Sequence, residues 1–514
     1  MKLKALTAAL FAAGTLANSA FALSPTDTIN LHIYISGASA QDKALQTMAT
    51  KLCDTSGSNS LDIYSDSGVS KPEGSSYSAI ACTMTAAKVP GLSGNLNVMI
   101  HKRSAGGSAW GVGPVAAGDQ IAQMAITSAN CGSNPVGNVT LNGVSTRVWS
   151  CSNAVTVSSP TDAGISDVEP AMFAKPSNLI PVGSAYGTAV GDPGTFPVPD
   201  GELAGLTVTG MSAVTFGVPV TKALRDALQA AQGKTVGSDA LADMPSLSKQ
   251  QIASLFTGSV GSWNNFKVFD SSTNSYVGLN QLAGVTPPAT ARVNICRRVP
   301  GSGTQAQFNA LFLGDGCTEG TLTVKADNTP ASGITGGTNV STQPLGTGSV
   351  VHENNGSGDL DACLNNLQDA NIWAVGLQSL EKGSDKYRYI AVDGVAPTLQ
   401  NVATNKYWDW AANSIQWRTA DTSGDKLTIL SKIASEISNP TDLAGLNASF
   451  NPRITGANVG ILALNTNGSP KYTASIPFAT TNPVMTVTRN GAAGTSAPNS
   501  CRAAVILQNA ASQL

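Results

Sequence analysis

Ile295-Cys296-Arg297-Arg298-Val299-Pro300-Gly301-Ser302-Gly303-Thr304 runs directly into Gln305-Ala306-Gln307-Phe308-Asn309-Ala310-Leu311-Phe312. The residues from Arg292 to Ile295 read as a strand that ends in two arginines. Phe308, Leu311 and Phe312 share one helical face, so a helix is expected to begin near Thr304. The turn between them is Gly-Ser-Gly-Thr. Its glycines let backbone approach a ligand, its hydroxyls donate hydrogen bonds, and the helix start offers free N–H groups. Arg298 adds a permanent, forked positive charge that suits an oxyanion. The same residues would also serve as an ordinary surface turn beside a solvated arginine, so the rest of the chain has to decide.

The strand–turn–helix pattern recurs upstream. Ile29 to Ser36 alternates as a strand, runs into Gly37-Ala38-Ser39-Ala40, and is followed by a helical stripe of Ala44, Leu45, Met48, Ala49 and Leu52. Ser39 stands where a helix N-cap would stand. Leu96 to His101 is a second strand, ending in Lys102-Arg103-Ser104-Ala105-Gly106-Gly107. Ala163-Gly164-Ile165-Ser166-Asp167 places an aspartate at the end of a short apolar strand. Ser248 with Gln251 forms a capping box before Ile252, Leu255 and Phe256. Gly233-Lys234-Thr235 is not a phosphate-binding P-loop, because Leu228 stands where the motif requires glycine.

Composition bounds the class. The chain has 514 residues, a formal net charge of −2 and only 12% charged residues. Nothing in that total favours nucleic acid or an anionic membrane, so an anion site has to be local. Met1-Lys2-Leu3-Lys4, an apolar run to Ala17 and Ser19-Ala20-Phe21-Ala22 predict a signal peptide over 1–22, cut after Ala22. No later run is long and apolar enough to predict a membrane span. The mature protein is therefore expected in the periplasm or outside the cell.

Cys53, Cys82, Cys131, Cys151, Cys296, Cys317, Cys363 and Cys501 make an even count, as expected of four disulfides in an exported chain. The expected pairing is sequential, because near neighbours are cheapest to join: Cys53–Cys82, Cys131–Cys151, Cys296–Cys317 and Cys363–Cys501. The cysteine spacing and the three histidines (His32, His101, His352) offer no zinc-like ligand set. No cofactor or metal is expected. The absence of a G-x-S-x-G elbow argues against a hydrolase.

Leu255-Phe256-Thr257-Gly258, the turn at Trp263-Asn264 and the strand into Arg298-x-x-x-Ser302-Gly303-Thr304 together resemble the periplasmic phosphate-binding proteins of ABC importers. Gly37-Ala38-Ser39 looks like that family's first phosphate loop and Ser104-Ala105-Gly106-Gly107 like its second. Gly164-Ile165-Ser166-Asp167 looks like the loop that carries its aspartate. The resemblance covers roughly residues 29 to 381. It implies an α/β fold of two lobes, of the type 2 periplasmic-binding-protein kind, with a ligand clamped between them. By it the first part of lobe one spans 23–212, with a disulfide-clipped β insertion at about 113–160. Lobe two spans 213–377, and 378–514 returns to lobe one and adds a C-terminal extension.

By the same resemblance Ser39, Ala40, Ser104 and Asp167 face the ligand from lobe one, and Arg298, Ser302, Gly303 and Thr304 from lobe two. The implied ligand is inorganic phosphate or a similar oxyanion, and the implied partner an importer permease. An ionised Asp167 only accepts hydrogen bonds, so it would tolerate hydrogen phosphate and repel sulfate. Ala40 replaces the family's usual aromatic residue and Pro300 its usual aspartate. A secreted surface or matrix protein that keeps the scaffold for interactions is the alternative. Tyr407, Trp408, Trp410 and Trp417 are expected as core residues that pack a C-terminal helix and strands on lobe one.

Overall fold

In a computed structural model of the protein, the residues described are 23–56, 61–179, 203–317, 348–450, 460–464, 478–489 and 498–506. The expected leader, the Gly/Pro-rich loop from Pro181 to Pro199 and parts of the C-terminal extension lie outside them. One sheet dominates. On its lobe-one side β1 (Leu31–Gly37) lies parallel to both β2 (Leu96–Arg103) and β3 (Ala163–Ser166). Ile33 and Ile35 are fully buried between the layers, as expected for strands covered on both faces. The expected helical stripe is α1 (Asp42–Leu52), which buries Ala44, Leu45, Met48, Ala49 and Leu52.

The two lobes share β4 (Leu206–Thr221), a strand of 16 residues. In lobe two the parallel strands β5 (Asn294–Arg298), β6 (Val350–Asn354) and β7 (Ala374–Gly376) pair in the order β6–β5–β7. The C-terminal part of β4 pairs there with β7 and with β8 (Tyr387–Val392). Its N-terminal part pairs with β9 (Trp410–Arg418), which continues into β3 and lobe one. The chain therefore stays in lobe two past residue 378 and returns at Trp410. Periodicity marks Tyr387–Val392 as a strand, but only its pairing with Val218–Thr221 says which lobe it joins.

Each lobe has its own core. Ile33, Met48, Ile165, Phe173 and Ile433 belong to the first, and Leu224, Phe256, Trp263, Ile295 and Trp373 to the second. Trp417 packs in the first, and Tyr407 and Trp410 in the second. The capping box of Ser248 and Gln251 opens α2 (Lys249–Phe256) as the sequence predicts. The insertion is a hairpin, Gly137–Leu141 with Val144–Ser150, that joins the main sheet alongside Leu61–Ser65. Asp62, fully buried, fixes it by accepting hydrogen bonds from Arg147 (2.7 and 2.8 Å) and Trp149 (2.8 Å).

Cys53–Cys82 and Cys131–Cys151 pair as expected, the second clipping the neck of the insertion. The other two pairs are Cys296–Cys363 and Cys317–Cys501, which corrects the sequential assignment. Cys296 lies on β5, which leads into α3 (Gly303–Phe308), and Cys363 lies on α4 (Ser357–Asp369), the helix packed behind that strand. Proximity across a strand–helix layer, which sequence distance does not report, decides this pair.

Candidate functional site

The site lies where strands of both lobes end. β1 ends at Gly37, whose backbone has φ +111° and approaches lobe-one backbone so closely that a Cβ would lie 2.0 Å from the Ile165 carbonyl oxygen. Only glycine fits there. The next residues, Ala38 to Gln41, lead into α1 with Gln41 as N-cap, so Ser39 is not the cap. Ser39 and Ala40 line a cavity of about 220 Å³ between the lobes, together with Ser104 at the end of β2 and Arg298 at the end of β5.

On the lobe-one wall a lysine that the sequence reading passed over, Lys102, organises the strand ends. Its ammonium is buried and donates to the Gly37 carbonyl (3.0 Å) and the Ser104 hydroxyl (2.7 Å). It also lies 3.1 Å from the Asp42 carboxylate, to which the Ser104 hydroxyl donates at 2.6 Å. Burial pushes Asp42 up and Lys102 down, and each opposes the other's shift. The Ser104 proton is thus already used within the wall, so this hydroxyl offers no donor to the cavity. The signal for Lys102 is present in the sequence as a cation at a strand end beside a serine.

On the lobe-two wall the strand runs further than expected, through both arginines. Alternation along β5 sends the two side chains to opposite faces. Arg297 pairs with Glu353 at 2.6 Å. Arg298 turns to the cavity, where its guanidinium donates to the Asn354 and Asn355 carbonyls (3.3 and 2.8 Å) and to the Ser357 hydroxyl (3.1 Å). These contacts fix the plane of the fork. Burial pulls its pKa down, opposed by Asp167, Asp359 and Glu381. The loop from Asn355 to Asp359 lines the cavity along with it.

Ser302, Gly303, Thr304 and Asp167 come together, but beside the cavity lining rather than on it. Gly301 accepts a hydrogen bond from the Ala109 N–H of lobe one at 2.9 Å. A Cβ on Gly303 would sit 2.3 Å from the Ser108 hydroxyl and 2.6 Å from the Asp167 Cβ. Ser302 caps a helix of six residues, Gly303–Phe308, with no side-chain cap bond. Asp167 accepts from the Asn413 amide at 3.2 Å, and its own N–H donates to Ser108 at 3.0 Å. Burial first and the charge of Glu381 second push its pKa up to about 7, against Arg298 and Lys102. Its acceptor-only behaviour is therefore confined to pH above about 7.

The seam beside the turn is extensive. Ala306 and Ala310 pack into the lobe-one core, and the Asn309 amide donates to Asn178 at 3.0 Å. Adjacent residues of the C-terminal extension tie this seam down. Ser500 donates twice to the buried Glu169 of lobe one (2.8 and 2.7 Å), and Cys501 is bonded to Cys317, which packs against the lobe-one core.

No protein-family model matches the chain, and no curated protein matches it in sequence. Among solved structures it is similar to a protein from Clostridium perfringens described as a phosphate ABC transporter substrate-binding protein with bound phosphate. That likeness has 13% identity and TM-score 0.38, and covers 81% of this chain and 96% of that one. An ABC-type phosphate transport receptor from Vibrio cholerae is similar at 12% identity and TM-score 0.35, covering 79% and 94%. PstS from Borrelia burgdorferi is similar at 10% identity and TM-score 0.34, covering 85% and 99%. At this distance the residues of the cleft, rather than the neighbours, decide what the chain binds.

Proposed function

We propose that this is a non-enzymatic, exported binding protein that captures an inorganic oxyanion between its lobes, with phosphate the first ligand to test. The observation that carries this reading is Arg298, a buried guanidinium held flat at the wall of an interlobe cavity whose opposite wall presents Ser39. A fixed cation in a site that excludes most water binds an anion more strongly than a solvated one does. Asp167 and the Ser302–Thr304 turn lie beside this cavity rather than on its wall. An ABC importer permease is the partner this role implies.

Calorimetry with phosphate and with sulfate on ligand-stripped protein tests it. Phosphate should bind, and Arg298→Ala should lose about 2–3 kcal/mol, on the order of a hundredfold, as for a charge-assisted hydrogen-bonding donor. Unchanged affinity in Arg298→Ala, or no binding by wild type, would overturn the reading. The alternative, a secreted surface or matrix protein built on this scaffold, rests on the interlobe seam just described. It would be favoured if no anion bound and the lobes kept the same solution scattering with and without phosphate.

A further inference from the structure

Deepening that reading of the same cleft, we propose that it holds a ligand with two anionic groups: one phosphoryl group at Arg298, and a second anionic group bonded to it and seated between Lys71 of lobe one and Lys382 of lobe two.

Size is the first argument. About 10–15 Å³ of such space holds one water, whereas this cavity measures about 220 Å³. A single tetrahedral anion would leave much of it to solvent.

Charge is the second argument. Lys71 and Lys382 line the same cavity from opposite lobes. After burial, the charge of Lys382 is what most depresses the Lys71 ammonium. Two like charges brought together across a closed cleft repel, and an anion between them turns that repulsion into attraction. Neither is well engaged by the protein. Among the described residues the Lys71 ammonium reaches only the Ser75 hydroxyl, at 3.5 Å, and the Lys382 ammonium has no hydrogen bond or ion pair.

The Glu73, Asp42 and Asp66 carboxylates oppose the depression of Lys71, yet the carboxylates around the cavity are each engaged elsewhere, Asp66 by the N–H groups of Ser75, Ser76 and Tyr77. Asp42 is held by Lys102 and Ser104. Glu73 lies 3.9 Å from Lys43, Asp359 accepts the Gly356 N–H at 2.9 Å, and Glu381 accepts from Ser379 at 2.8 Å.

Two chemistries meet this description, a condensed phosphate and a phosphorylated carboxylic acid. Calorimetry on the full, disulfide-intact chain with orthophosphate, pyrophosphate and 2-phosphoglycolate separates them. At least one two-anion ligand should bind about tenfold or more tighter than orthophosphate, and whichever does names the source. Lys71→Gln with Lys382→Gln should lower the ratio of that ligand's affinity to orthophosphate's by about tenfold, as expected for two partly solvated lysines. Both positions are half-buried and lack strong partners, and thermal melts report whether the double variant folds. If orthophosphate binds through Arg298 but neither two-anion ligand exceeds it, or the ratio survives the double substitution, this inference falls and the oxyanion reading stands. If none of the three binds, both fall.

Discussion

Two segments of lobe two carry glycines to the cleft, and they have opposite surroundings. At Gly303, in the Gly-Ser-Gly-Thr turn, lobe-one side chains occupy the space a Cβ would need. At Gly358, in the first turn of α4, nothing lies within 4 Å, and the residue faces the cavity. The turn that looks in sequence like the anion cradle is packed against the other lobe. The loop that attracts no notice forms the open wall. A motif thus identifies a backbone conformation, whereas the neighbouring lobe decides whether that backbone meets solvent or protein.

The seam on the turn's side should break with the largest effect. Replacing both Cys317 and Cys501 by serine opens a loop of 184 residues and frees Cys501 and its neighbours from the seam. Unfolding by urea should show a loss of about 2–5 kcal/mol. A loss below about 1 kcal/mol would mean that the packing of Ala306, Ala310 and Asn309 holds the seam unaided.

Gly303→Ala against Gly358→Ala is the direct contrast. The first forces a methyl group onto Ser108 and Asp167 and should cost about 1–3 kcal/mol. The second relieves a helical glycine in open space and should gain about 0.4–1 kcal/mol. Urea midpoints of the ligand-free proteins measure both, and equal shifts would erase the distinction drawn here.

Asp167 gives a pH-dependent effect on the packed side. Its carboxyl moves from 3.8 to about 7 on folding. For a raised carboxylate, the folded state is favoured by this group at low pH. That benefit is lost as pH rises from about 4 through 7, and the difference is constant above. Asp167→Asn removes the dependence, so the variant should gain on wild type between pH 4.5 and 8. Some slope remains from Asp409, which burial also pushes to about 7 beside Gln307. Parallel stability profiles for the two proteins would show that Asp167 does not titrate in this window.

The smallest expected change is Lys71→Gln, a half-buried residue with one long hydrogen bond. Its ligand-free stability should stay within about 0.5 kcal/mol of wild type by the same urea midpoint.

Local pattern carried much of this architecture in advance. The stripe from Ala44 to Leu52, the capping box at Ser248 and the aromatic face of Phe308 and Phe312 all depend on neighbours in sequence, and all appear in the structure. So do the two disulfides that span 29 and 20 residues. What was not legible depends on pairing over distance: Cys296 with Cys363, the lobe to which Tyr387–Val392 belongs, and the crowding of Gly303. Arg298, Ser39, Ala40 and Ser104 line the cavity from positions at or just past strand ends, which local pattern marks in the sequence. Lys71 and Lys382 were not legible, since neither sits in a motif and only closure of the lobes places them in one cavity.

Asn413 on β9 donates to Asp167 across 246 residues of chain. Between them lies all of lobe two, bounded by β4 and β9. Most of that lobe's core comes from its own segment, with Leu462, Leu464, Met485 and Val487 added from beyond β9, while the lobe-one sheet lacks its join to β4 until β9 arrives. Long-range pairing slows folding because loop closure precedes the contacts that reward it. The expected order is therefore early condensation of lobe two around Trp263 and Trp373, with the placing of β9 between β3 and β4 as a late step that completes the lobe-one sheet.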